Sequence, residues 1–143
     1  MRYGPIVDLF ENDLALREAV DRGHGGWGTA RIRALGRIAG GDEARAHAAR
    51  AERNSPTLHG DSVDCDASWH WLLATAVEHE VPSLAWRENR PGAHVVRVAL
   101  GYLWGQLNTG AMCPMIMTFA AVPVLRRFGG SVQIGRASCR ERV

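Results

Sequence analysis

Lysine is missing from this 143-residue chain; all 17 basic residues are arginine. Set against 15 acidic residues they leave a formal charge of +2, too little and too scattered for a nucleic-acid footprint. The arginine bias reads as a GC-rich coding sequence rather than a functional choice. Cysteine is scarce, and Cys65, Cys113 and Cys139 share no metal-like or disulfide-like spacing, which suits a reducing, cytoplasmic setting. No basic stretch leads into an apolar run at the N-terminus, so no signal peptide is expected. Residues 98–107 and 111–125 are apolar but separated by Asn-Thr-Gly, and neither reaches the ~18–20 residues of a membrane span. Also missing are a P-loop, a nucleophile elbow, a clustered Cys/His pattern and any stretch that alternates with period two. What these absences leave is one non-membrane domain of ordinary composition, 46% hydrophobic and 22% charged.

The pattern that is present is helical. Asp13 can cap a helix from Leu14 to about Arg22 that Gly23 ends. Residues 29–39 carry Ile32, Leu35 and Ile38 at helical spacing, with Arg31, Arg33 and Arg37 outside that stripe. Gly40-Gly41 breaks it, and residues 42–53 form an alanine-rich solvated helix. Pro56 to Asp66 reads as an irregular polar connection. Trp69, Leu72, Leu73, Ala76 and Val77 mark a helix over 67–80, a short piece starts at Leu84, and 93–107 is apolar on nearly every side. The fold class is all-α, an irregular helical bundle.

The stretch 108–125 is the most apolar, without charge from Ala111 until Arg126. Asn-Thr-Gly supplies a turn and a cap, and Pro114 fits a first helical turn. Pro123 is expected to kink or end the helix about two turns later. A short Met-rich helix of this kind is expected to be stable only when buried, with the chain organised around it.

Chemistry-bearing residues are sparse. Gly23-His24-Gly25-Gly26-Trp27-Gly28 has the letters of a dinucleotide fingerprint but a helix, not a strand, before it, so it reads as an inter-helix loop. His70, between Trp69 and Trp71, reads as a packed histidine. His79 with Glu78 or Glu80 fits an acid–base group or plain surface charge equally well. The five tryptophans read as core or subunit-interface residues, and Met112, Met115 and Met117 as core or as an adaptable apolar pocket.

Cys113-Pro-x-x-Met-Thr-Phe-Ala-Ala-x-Pro-x-Leu125 resembles the flavin-side helix of the acyl-CoA dehydrogenases, within their AidB-like adaptive-response (DNA alkylation response) branch. Trp69-His70-Trp71-Leu72-Leu73, Leu84-Ala85-Trp86-Arg87-Glu88, and Leu16-Arg17-Glu18-Ala19-Val20 followed by Gly-Gly-Trp are similar to segments of that branch in the same order. The resemblance runs through roughly residues 5–128. It implies an N-terminal helical domain at 1–132 of an FAD-dependent oxidoreductase that dehydrogenates an acyl thioester. In that family a glutamate takes the α-proton and the flavin accepts the β-hydride. Homotetrameric assembly is implied, with DNA contacted, if at all, through other regions.

On the resemblance, Met117, Thr118, Ala121, Val122 and Leu125 would line the acyl cavity. No residue here matches the catalytic glutamate, the main flavin loop is not found, and the chain alone is expected to be inactive and to hold no FAD. A non-enzymatic helical interaction module and a small His-dependent metalloprotein are the alternatives. Residues 133–143, basic and aperiodic, resemble a translated sequencing adapter and are read as a non-native tail. Without residues 134–143 the chain has 14 basic and 14 acidic residues.

Overall fold

Three helices among the described residues start at a side chain that takes over an amide the helix itself leaves unbonded. A computed structural model describes residues 8–129. Asp13 accepts from Leu16 N at 2.9 Å and opens α1 (Leu14–Arg22), whose end at Gly23 is the one expected. A short 3-10 turn at Gly26–Gly28 leads into α2 (Thr29–Ala39), and α3 follows at Asp42–Arg53. Asp66 accepts from Ser68 N at 2.8 Å and opens α4 (Ala67–Glu78). A single turn, α5 (Leu84–Arg87), precedes α6 (Ala93–Leu107). Asn108, itself buried, accepts from Ala111 N at 2.8 Å and opens α7 (Thr109–Phe128).

The bundle is mostly helical, and its centre is α6 rather than the helix after Asn108. Val96, Leu100, Leu103 and Trp104 on α6 are fully enclosed, and α1, α2, α3, α5 and α7 all pack against it. Each such leucine contributes about 2 kcal/mol of apolar burial. A Cβ on Gly28 would stand 2.5 Å from both Val96 methyls, so the turn before α2 lies directly on α6.

The structure corrects the sequence reading at several points. The polar connection is not irregular: β1 (Thr57–His59) and β2 (Ser62–Asp64) pair antiparallel, with Leu58 opposite Val63. Gly60, at φ +60°, begins a two-residue turn of the kind that favours hairpins. All six strand residues are exposed, so no alternating apolar signature was available to find. Helix α4 stops at Glu78 instead of 80, because Val81 precedes a proline and Glu80 turns into the left-handed region at φ +60°.

The largest correction concerns α7. It is 20 residues long, Pro114 is in its second turn, and Pro123 does not end it. By length and composition alone it could span a membrane, contrary to the reading of the separated apolar runs. Nor is it buried throughout: only Ala111, Met112 and Met115 are in the core, while Ile116, Met117 and Val124 are 52, 66 and 57% exposed. Its first two turns are the part held between α6 and α4.

Asp66 gives the fold an acid-sensitive joint. Its carboxylate accepts from Ser68 N and is bracketed by Arg50 Nε at 3.0 Å and Asn54 Nδ2 at 2.9 Å, tying α3 to α4. The Ser68 amide first, and then Arg50, hold it at about 2, against an ordinary 3.8. A depressed carboxylate contributes stability above its unfolded value that fades as pH falls from about 4 toward 2. The melting temperature of the wild type should therefore fall more between pH 5 and pH 2.5 than that of Asp66→Asn. Parallel acid limbs would remove Asp66 as the source.

Candidate functional site

Sequence segments far apart in the chain meet along α7. On α4, Trp69 lies over the start of α7, where a Cβ on Gly110 would stand 2.7 Å from the indole. On α5, Trp86 stacks on Phe119 at 4.8 Å and 28°, and its Nε1 donates to Phe119 O at 3.0 Å. That carbonyl is the one a residue at 123 would bond inside the helix, and Pro123 has no N–H to give it. The indole therefore replaces the missing helical donor, which is why the helix continues through the proline. Arg126 Nη2 donates back to Trp86 O at 3.1 Å.

An arginine and a histidine complete this aromatic seat. His94 stands edge-on to Trp86 and to Phe119, and Arg97 Cζ lies 4.1 Å over the Phe119 ring. Arg97 is 9% exposed, donates from Nε to Val81 O at 3.0 Å, and is pushed below its ordinary pKa by burial. Its Nη2 is enclosed without a partner. The seat fixes the direction of the outer half of α7 and carries no carboxylate to accept a proton.

Thr118, Ala121, Val122 and Leu125 fall on one side of α7, each half-buried, as spacing of three and four residues requires. Met117 is on the flank, exposed, with its sulfur 3.9 Å from Cys113 Sγ. The stripe thus has an apolar floor of small and medium side chains with one hydroxyl, suited to an alkyl chain rather than to acid–base chemistry.

One of the remaining candidates departs from its sequence reading. His70 is exposed: Ser68, Leu72 and Ala76 face the core, and the helical turn puts His70 opposite them. The packed histidine is His47 on α3, stacked on Trp71 at 4.4 Å and paired with Ser68 Oγ at 3.1 Å. Glu80 is taken up by Arg31 and Arg87, at 2.7 and 2.6 Å. Among the described residues no group of three His, Cys, Asp or Glu is close enough to hold a metal. Trp104 alone of the tryptophans is fully buried.

The glycine-rich loop does not fit the phosphates of a dinucleotide. Amides of Gly23, His24, Gly25 and Gly28 are bonded to the carbonyls of Ala19, Asp21, Val20 and Gly25. Helix α1 precedes the loop, and Gly23 and Gly25 lie against Val95 and Gly28 against Val96. It is an inter-helix loop, as the sequence reading had it, and it serves as a packing joint on α6.

The family described as adaptive response protein AidB N-terminal domain matches residues 5–134. A putative acyl-CoA dehydrogenase AidB of Escherichia coli (strain K12) is 35% identical over 127 residues, covering 82% of this chain. The same alignment covers 24% of the relative, so the chain spans about a quarter of that protein's length.

Proposed function

On the premise that this chain belongs to the family of AidB N-terminal domains, as its match over residues 5–134 shows, we propose that it serves an FAD-dependent acyl-CoA dehydrogenase-like oxidoreductase. In the longer protein the reaction would be α,β-dehydrogenation of an acyl thioester, in a cytoplasmic homotetramer, with FAD and any DNA held by other regions. This chain's part is structural and selective. Thr118, Ala121, Val122 and Leu125 form the floor beside which an acyl chain lies, with Met117 at its rim. The observation that carries this reading is the fixed direction of α7, set by Trp86 and Arg126, which presents that stripe along one line. Helix α7 acts as a domain helix rather than a membrane span, since its first turns are in the core. Residues 133–143, outside the described residues, are proposed to be non-native.

Ala121→Phe tests the selective role in the longer protein. If Ala121 faces the acyl chain, each excluded methylene should lower relative kcat/KM by ~1 kcal/mol or more. Long acyl chains would then suffer and short ones would not. If it only packs, stability should fall by ~1–3 kcal/mol and all acyl lengths should be affected alike.

This chain alone should not bind FAD, because its glycine-rich loop has the amides of Gly23, His24, Gly25 and Gly28 already bonded within the chain. Titrated FAD should keep its free fluorescence in the presence of the purified chain. A stoichiometric yellow complex would contradict this and reopen the role of Gly23 to Gly28.

A further inference from the structure

Arg97 is the one arginine on α6, the central helix, which carries no acidic residue and no lysine, and only 9% of it is exposed. Val81 O accepts from its Nε, and the Phe119 ring lies 4.1 Å from its Cζ. Nη2 is enclosed without a partner, while Nη1, also unbonded, is not enclosed. Among the described residues no carboxylate pairs with Arg97, nor with Arg126, whose Cζ lies 5.8 Å over the Trp86 ring of the same stack. A buried guanidinium without a counter-charge is costly, and one carbonyl and one ring offset only part of that. A negative group from outside the described residues would offset the remainder.

The place of the guanidinium says what that group is. Phe119 follows Thr118 on α7 and lies one helical turn before Val122, so Arg97 stands beside the proposed acyl floor. We propose that Arg97 receives a carboxylate at the far end of the acyl chain, and that the longer protein takes monothioesters of dicarboxylic acids. The inference rests on the acyl reading of the stripe. The acid end would accept a charge-assisted hydrogen bond from Nη1, with the alkyl part along Thr118, Val122 and Leu125. A chain that ends in a methyl group would leave the guanidinium unpaired. A small free carboxylate shares the chemistry of the acid end, and turnover separates the two.

Binding is read in the 143-residue chain. Hexanoate should raise its melting temperature by ~2 °C or more over sodium chloride of equal ionic strength, as a ligand of the folded state does. Hexanamide, of the same shape but neutral, should not, and Arg97→Met should remove the response to hexanoate. Equal effects of the acid and the amide would overturn the proposal without any variant. So would a response to hexanoate that survives Arg97→Met.

Turnover by the longer protein identifies the source of the carboxylate. Among acyl-CoA thioesters of matched length, carboxyl-ended ones should exceed methyl-ended ones in kcat/KM by ~10-fold or more, and Arg97→Met should erase that ratio. Equal kcat/KM for the two would overturn the substrate class and leave a free carboxylate as the ligand. A uniform loss in Arg97→Met with the ratio kept would overturn it too, since Arg97 would then only hold Phe119 and Val81 in place. If no thioester of either kind turns over, the acyl reading fails and the substrate class with it, while hexanoate still decides whether Arg97 holds a carboxylate.

Discussion

Gly92→Ala should destabilise this domain by ~3 kcal/mol or more, the sum of a left-handed backbone and a collision that cannot relax. Gly92 has φ +79° and precedes α6, and a Cβ there would strike the backbone of His24 and stand 2.8 Å from Gly25 N. Backbone on the far side leaves no rotamer to escape into. The loop that would have to yield is the one that carries Trp27, whose Nε1 donates to Pro91 O at 3.0 Å. A displacement there loosens α1 and α2 from the central helix together. Gly60→Ala is the control: φ is +60°, yet nothing lies within 4 Å of the added methyl. It should show only the ~1 kcal/mol of backbone strain. Urea midpoints for both, at unchanged slope, give the comparison. Equal losses would mean that the His24 loop gives way and that no collision exists.

Pro123→Ala should act in the opposite direction and raise stability, since proline in a helix interior is ~3 kcal/mol less favourable than alanine. Its effect is tied to Trp86. With Pro123 present, Trp86→Phe keeps most of the stacking on Phe119 but removes the indole donor, leaving Phe119 O unsatisfied at a cost of ~1–3 kcal/mol. With alanine at 123 the helix supplies its own donor, so the same Trp86→Phe change should cost only a few tenths of that range. The double-mutant cycle should therefore show a coupling of about 1 kcal/mol or more. Simple additivity would show that the 3.0 Å bond contributes nothing and that the proline is tolerated for another reason. The cycle also bears on function, because the same bond aims the stripe of Thr118, Ala121, Val122 and Leu125.

Much of this protein was determined locally and is legible in its residues. Asp13 and Asn108 cap, Gly23 stops a helix, and the bounds of α2, α3 and α6 follow from breakers on either side. These depend on hydrogen bonds and dihedral limits within a few residues, which sequence states directly. Membership of the family was legible too, from motifs whose order along the chain does not require knowing where they meet. The tertiary structure decided the rest. Hydrophobicity says that 108–125 and 93–107 avoid water but not which of them the others surround, and α6 took the centre. His70 faces solvent because the core direction of α4 is fixed by its neighbours, not by the flanking tryptophans. The helix passes Pro123 because a donor 33 residues earlier in the chain reaches Phe119 O, a partner that no window of local sequence contains. The hairpin at 57–64 escaped because neither of its faces is buried. Periodicity records burial, and where nothing is buried it leaves no trace.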